Sequence, residues 1–370
     1  MQLKTKAGYL YSNIFRLNFF VTSTANYGKA TDCFLFNVSQ ERIEIKFNNL
    51  LHAGVLEIKT GSKCIIVEPG IFLLPAKLFL ELLSKLDPAE EITILTTSPT
   101  HIKIVCQSGT YDFNTPLIDE FSDFKVVTEG THYRLIESDL EYILNHINGF
   151  SVNDDTYESI SGVLFKQEAD VLHIVATNRK QLALIQYPIT VAVPKTCVVP
   201  AKFLHGLKDQ VASSDKSITI GFYGDIVYYM DDSLYVYGKV IDQEFPNYKP
   251  LTDIINSVSV SLPVDMVKKA LGRIKLLLKK ESPLIYLEFK KGLLSIKTED
   301  KITNGEEMIL IKDNTFEIKI SANGLQLLSM INFFDQSCTL SFEPDRPSIL
   351  QIKSKEHPML TYLQTTFHHE

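Results

Sequence analysis

The chain has no tryptophan and only five cysteines, and no run of about 18 apolar residues that could span a bilayer as a helix. Cys33, Cys64, Cys106, Cys197 and Cys338 are odd in number, widely scattered and never in a CxxC pair. That spacing argues against a disulfide framework and against zinc, and leaves buried free thiols as the expected state. There is no GxGxxG, no GxxxxGK[ST], no HExxH and no GxSxG, so the common nucleotide and hydrolase signatures are missing. With 17 Gly and 15 Pro in 370 residues the chain is neither fibrous nor of low complexity, and an apolar fraction of 45% excludes a disordered polymer. A net charge of −7 rules out a uniformly basic nucleic-acid binder, though not one whose positive charge is confined to one face.

The first 25 residues imitate a signal peptide, but Asn13, Arg16 and Asn18 interrupt the apolar middle. Leu10, Ile14 and Leu17 instead lie on one helical face, which predicts a folded cytoplasmic start. The adjacent acids Asp154-Asp155 and Asp231-Asp232 are read as turn residues rather than a catalytic pair, because neighbours on a strand face opposite ways. His368 and His369 are terminal and could chelate a metal only incidentally; no metal or cofactor is expected.

What the chain does contain is a repeat of about 124 residues. LPAKLFLELLSKLDPAEEITI (74–94) recurs as VPAKFLHGLKDQVASSDKSITI (199–220), and more faintly as ISANGLQLLSMINFFDQSCTL (320–340). LIDEFSDFK (117–125) recurs as VIDQEFPNYK (240–249), aligning Phe121 with Phe245 and Phe124 with Tyr248. FLFNVSQERIEI (34–45), VLFKQEADVLHI (163–174) and YLEFKKGLLSI (286–296) each alternate as a strand pair around a tight turn. A period this long indicates three whole domains rather than a solenoid, whose repeats run ~20–50 residues. The expected boundaries are 1–127, 128–255 and 256–370. Each unit reads as α+β: helices near 8–18, 136–150 and 264–280 and near 75–86, 200–212 and 321–334 cover one face of antiparallel sheets. Pro75 and Pro200 are expected in the first helical turn, where a missing N–H is harmless.

Counted with Asp335 at the end of the last one, these six helices sum to +4, against −11 on everything else. Most of the positive charge is in 264–280, where Lys268, Lys269, Arg273, Lys275, Lys279 and Lys280 flank an apolar stripe of Val267, Ala270, Leu271, Ile274 and Leu278. The bland reading is a set of solvated faces; the sharper one is a channel around a phosphate backbone, with sequence-independent, salt-sensitive contacts. The acids Glu137, Asp139 and Glu141 suit the start of the 136–150 helix but would not hold DNA.

Tyr157–Ile189, the Val-Pro-Ala-Lys start at 199–202 and GKVIDQEFPNY (238–248) make the chain resemble, over nearly its full length, the bacterial sliding clamp family, the beta subunit of DNA polymerase III. The resemblance implies three tandem clamp domains per chain, helices lining a ring with antiparallel sheets outside, and a head-to-tail homodimer. It implies a non-catalytic processivity factor that encircles duplex DNA and tethers the polymerase by topology and avidity. It also implies partners, namely polymerase III alpha and clamp-loader subunits, that insert short peptides into a pocket walled by Ile160, Thr177, Leu182, Pro246, Leu251, Tyr362 and Gln364. The implied DNA-facing residues are Lys29, Lys77, Lys202, Lys268, Lys275 and Lys279; the implied ring interface sets Tyr111 and Phe113 against Leu276 and Leu277.

The chain departs from the family pattern in several places. Asn178-Arg179-Lys180-Gln181 replaces the usual Asp-x-x-Arg, Gln364 stands where an apolar gate is expected, Gly324 where an aromatic often sits, and LQTTFHHE ends the chain. The alternatives are a clamp-derived interaction scaffold that no longer loads on DNA, and a nuclease or hydrolase using dispersed acids.

Overall fold

The computed structural model describes all residues except 22–28, 148, 153–156, 190–194, 209, 212, 255–256, 300–301, 313–315, 346 and 368–370. Asp154, Asp155, His368 and His369 therefore lie outside the described residues. The three strand pairs expected from the sequence form as antiparallel hairpins: Cys33–Val38 with Arg42–Asn48, Gly162–Glu168 with Val171–Thr177, and Leu284–Lys290 with Leu293–Glu299. Alternation of buried and exposed residues along them supplies one apolar face per hairpin, which the helices cover.

The chain forms two compact units. The first, mainly Met1–Tyr142 with Lys202–Val240, holds a five-stranded and an eight-stranded sheet. The five-stranded one runs Cys64–Glu68, Gln2–Lys6, Glu91–Ser98, His101–Cys106, Gly109–Asn114. In the eight-stranded one, His52–Lys59 pairs with Leu234–Lys239, so strands from the first two expected domains share one sheet. The second unit, mainly 143–190, 194–201 and Ile241–Glu370, repeats the device: Gln181–Pro188 pairs with Leu360–Thr365 in an eight-stranded sheet. Its other sheet runs Asn304–Leu310, Leu293–Glu299, Leu284–Lys290, Ile318–Asn323. Continuous sheets across both expected junctions are why contacts gather into two bodies although the sequence repeats three times.

The helices are shorter than the periodicity suggests. Ala7–Ile14 passes into a 3-10 turn at Phe15–Phe20, and Val264–Ile274 into one at Lys275–Leu277. Leu278 is therefore not part of the helical stripe; it is extended and lies close to Gly324. Pro75 and Pro200 also differ from expectation: each ends a strand at the edge of its sheet, just before Ala76–Lys85 and Ala201–Lys208. An edge strand can spare the N–H that proline lacks, and the fixed φ sets the corner into the helix. The third copy begins its helix at Gly324, after an Asn323 whose side chain accepts from Leu325 N and Gln326 N. Gly324 has no room for the aromatic of the family pattern, since a Cβ there would sit 2.7 Å from Ile285 Cγ2.

Glu137 and Glu141, two acids of the helix Glu137–Ile147, have a structural use. Glu137 Oε2 accepts from Ser214 Oγ and Glu141 Oε2 from Ser213 Oγ, both at 2.5 Å, tying the helix to the turn before Ser217–Tyr223. In the core of this unit Gly221 faces the ring of Tyr228, where a Cβ would meet the ring 2.0 Å away. Gly221→Ala is expected to lower stability by about 1–3 kcal/mol through overpacking, read as an earlier thermal midpoint; an unchanged midpoint would show that Tyr228 can move aside.

Candidate functional site

Three surfaces collect the residues singled out by the sequence. The first is in the second unit, around the turn Thr177–Gln181. Asn178 Oδ1 accepts from Lys180 N and Gln181 N at 3.0 and 2.7 Å, and Thr177 Oγ1 donates to Gln181 O and accepts from Arg179 N. Short polar side chains that bond their own backbone fix such a turn. Arg179 has φ 71° and lays its guanidinium 3.5 Å from the centroid of the Tyr157 ring. The first unit builds the same turn at Asn49, with Leu50 also at φ 71° and Leu51 N and His52 N donating to Asn49 Oδ1.

Strand register decides which candidate wall residues share a face. Thr177 lies opposite Leu182, and Leu182 opposite Leu363. Leu182 and Leu363 pack with Leu164, Val175, Leu184, Val198, Phe245 and Tyr248. Pro246, exposed, lies between Phe245 and Tyr248; Leu251, in the single turn Lys249–Thr252, is also exposed. Ile160 is buried in the turn Glu158–Ser161, which is tied to the same segment by Ser159 N donating to Gln243 Oε1. Thr177, Leu182 and Pro246 thus gather on one side, and Ile160 and Leu251 are joined to it through residues 243–252.

Tyr362 and Gln364 do not belong to that wall. They alternate with Leu363 and face the other side of the sheet. Tyr362 stacks on Phe150 with centroids 4.9 Å apart and donates its hydroxyl to His146 O at 3.2 Å. Gln364 is 1% exposed and donates from Nε2 to Asn323 O at 2.9 Å. The wall residue the sequence missed is Leu363. Only the pairing partner of the last strand fixes its parity, and no local pattern contains that information.

The segment over this face is held by titratable groups. Lys249 Nζ contacts Glu168 Oε2 at 2.6 Å, Lys166 Nζ contacts Glu168 Oε1 at 2.8 Å, and Tyr248 Oη is 2.7 Å from His173 Nδ1. Hydrogen bonds from Lys166 and Lys249 hold the Glu168 carboxyl down at about 2, and burial holds His173 below the usual imidazole range. Both groups have depressed folded values, so their stabilisation is complete above the unfolded values and is lost on acidification. Residues 245–252 are therefore expected to loosen in two steps, first as pH falls below 6.5 with His173, then between 4.5 and about 2 with Glu168. Amide hydrogen exchange across 245–252 measures this, and protection that stays flat through both windows would contradict it.

The second surface consists of two free edges. Among the described residues, Gly109–Asn114 pairs only with His101–Cys106, and Asn304–Leu310 only with Leu293–Glu299. Tyr111 is half-buried, but Phe113 is buried opposite Ile102 and packs into its own unit rather than projecting outward. The part of this strand available to a partner is its unpaired backbone with Tyr111. On the other edge Leu277 packs against Gly305, while Leu276 is 83% exposed. Met308 and Leu310, at 65% and 78%, extend the apolar rim and were not singled out from the sequence. Their signal was an alternating Met-Ile-Leu run at 308–310 that reads equally as core.

The third is the basic set. Lys29, Lys202, Lys275 and Lys279 are exposed and Lys77 half-buried. Lys268 does not fit a free phosphate contact, because its Nζ donates to Phe334 O at 2.6 Å. Neighbouring charges on the same helix are also compensated: Lys269 by Asp265 at 2.7 Å and Arg273 by Glu307 at 2.6 Å. Arg16 is bound to Asp231 at 2.5 Å. The helices therefore offer less free positive charge than their composition suggests. Among the described residues no group of three His, Cys, Asp or Glu could hold a metal ion, and no helix is long and apolar enough to cross a membrane.

Among known proteins, the family described as the DNA polymerase III beta subunit, central domain, matches residues 135–247. The beta sliding clamp of Synechococcus elongatus is 25% identical over 290 residues, 74% of this chain and 76% of that protein. The Escherichia coli beta sliding clamp is 20% identical over 316 residues, 83% and 85% of the two chains. The crystal structure of the Bacillus subtilis DNA polymerase sliding clamp superposes over 100% of both chains with a TM-score of 0.91 at 17% identity.

Proposed function

We propose that the chain is a divergent member of the bacterial DNA polymerase III beta-subunit family and acts as a DNA sliding clamp: a closed ring of two copies that encircles duplex DNA and tethers a polymerase, with no catalysis of its own. The observation that carries this reading is one edge strand in each unit, Gly109–Asn114 with Tyr111 and Asn304–Leu310 with the exposed Leu276, Met308 and Leu310 beside it. A strand with unpaired N–H and C=O groups invites another chain, and two different edges per copy allow head-to-tail closure. In such a ring each chain contributes three clamp domains, 1–127, 128–255 and 256–370, with Lys29, Lys77, Lys202, Lys275 and Lys279 toward the phosphates. The face of Thr177, Leu182, Leu363 and Pro246 takes short apolar peptide segments from polymerase III alpha and clamp-loader subunits.

Topological tethering makes a testable distinction. The loaded protein should stay on nicked circular DNA and slide off the same DNA once it is linear, and a cognate polymerase should become processive only with the clamp and its loader. Equal retention on both DNA forms would refute encirclement. A second reading, a clamp-derived scaffold that binds partners without loading, is favoured by the ion pairs of Arg16, Lys269 and Arg273 and by the bond that holds Lys268 to Phe334 O. It predicts peptide binding with no retention on either form.

A further inference from the structure

A recess of about 500 Å³ lies on the first unit, away from the residues assigned above. Lys4 and Lys6 reach it from the strand Gln2–Lys6, where alternate residues share a face, and Lys63 from the turn before Cys64–Glu68. Lys63 Nζ stands 5.6 Å from the centroid of the Tyr9 ring. None of the three ammonium groups is in an ion pair with a carboxylate of the described residues. The one acid in the lining is Glu91, which lies opposite Lys6 in the sheet. Three cations thus share one concavity with a single carboxylate, on a chain whose net charge is −7. Beside them Tyr9, Ile65 and Pro88 give an apolar wall, with Ile65 largely exposed.

We propose that this recess is a binding site for a small polyphosphorylated ligand, specifically a nucleoside di- or triphosphate, with the lysines on the phosphates and the base against Tyr9, Ile65 and Pro88. The cations are all lysine, compact point charges suited to phosphate, whereas planar carboxylates are held best by the arginine fork, which is absent from the lining. The volume suits a mononucleotide-sized molecule and is too small for a duplex. A phosphate on a DNA backbone offers the same charge, so the experiment must separate the two sources.

Titration calorimetry of the full chain with adenosine triphosphate, guanosine triphosphate, inorganic triphosphate and a short duplex does so. Expected is saturable binding of a nucleoside triphosphate, tighter than inorganic triphosphate, and weakened about tenfold or more by Lys4→Gln with Lys63→Gln, while Lys353→Gln, at an exposed lysine of the second unit, leaves it unchanged. Circular dichroism of the double variant checks that it is folded. No nucleotide binding by the unmodified chain, or binding unaltered in the folded double variant, overturns the proposal. Equal affinity for inorganic triphosphate overturns the nucleotide assignment, and a double variant that loses only duplex binding assigns the lysines to DNA instead. None of these readouts depends on ring formation, so failure here leaves the clamp reading intact.

Discussion

Replacing Leu276 by glutamate should convert a ring-forming dimer into monomers. Leu276 protrudes from the 3-10 turn Lys275–Leu277, beside Leu277, which packs on Gly305 of the edge strand Asn304–Leu310. In a single copy the side chain meets mostly water, so Leu276→Glu should shift monomer stability by no more than about 0.5 kcal/mol. Across an interface the same change buries a carboxylate among apolar groups that include the exposed Met308 and Leu310. A central anchor of this kind is worth at least about 2 kcal/mol, which corresponds to roughly thirtyfold in the dimer dissociation constant. Sedimentation velocity over a concentration series gives the constant, and the thermal midpoint checks the monomer. Identical association of the unmodified and substituted chains would remove Leu276 from the interface. A substituted chain that dissociates should also lose its retention on nicked circular DNA.

Arg16→Ala is expected to give the largest loss of stability in the first unit. The Arg16 guanidinium contacts Asp231 Oδ2 at 2.5 Å, donates to Ser233 Oγ at 2.8 Å and donates to Gln210 Oε1 at 3.1 Å. Gln210 Nε2 in turn donates to the carbonyl of Arg16. Tyr229 also donates to Asp231, whose other oxygen accepts from Ser233 N and Leu234 N in the hairpin turn. Burial pushes the Asp231 carboxyl up, yet the Arg16 charge and these hydrogen bonds leave it below the usual carboxylate range. Its stabilisation is therefore complete above pH 3.8 and is lost as pH falls below that value. Removing Arg16 leaves a buried carboxylate without its countercharge, at a cost of about 3 kcal/mol. The carboxyl should then titrate higher than in the unmodified chain, because burial remains and the cation is gone while the bonds from Tyr229 and Ser233 stay. Adding Asp231→Asn to Arg16→Ala should recover part of the loss. Chemical denaturation of the unmodified chain and the two variants measures the effect; a double variant no more stable than Arg16→Ala would mean that packing, not charge, sets the cost.

Arg16 also shows where composition misleads. From the sequence it is one unit of a weakly basic helix set, available for phosphate; in the fold its charge is spent on Asp231, a residue 215 positions away. Lys268 and Arg273 follow the same course, through Phe334 O and Glu307. A net charge is additive along a chain, but its availability depends on which acids and carbonyls the fold brings within a few ångströms.

The chain by itself determined the triplication, the antiparallel hairpins at 33–48, 162–177 and 284–299, and the two anchoring aromatics of each exit segment. The aligned Phe121 and Phe245 are both buried, Phe121 against Cys33 and Leu73, Phe245 against Leu182 and Val198. These features are local: alternation of period two, turn chemistry and an aromatic in a repeated frame are written within a dozen residues. Tertiary structure alone decided that Leu363 rather than Tyr362 or Gln364 joins the face of Leu182, that Phe113 turns inward, and that two continuous sheets merge three repeats into two bodies. Each of those outcomes depends on which distant strand lies alongside and in what register. A shift of one residue exchanges every side chain between the two faces, and the sequence of one strand does not specify its partner.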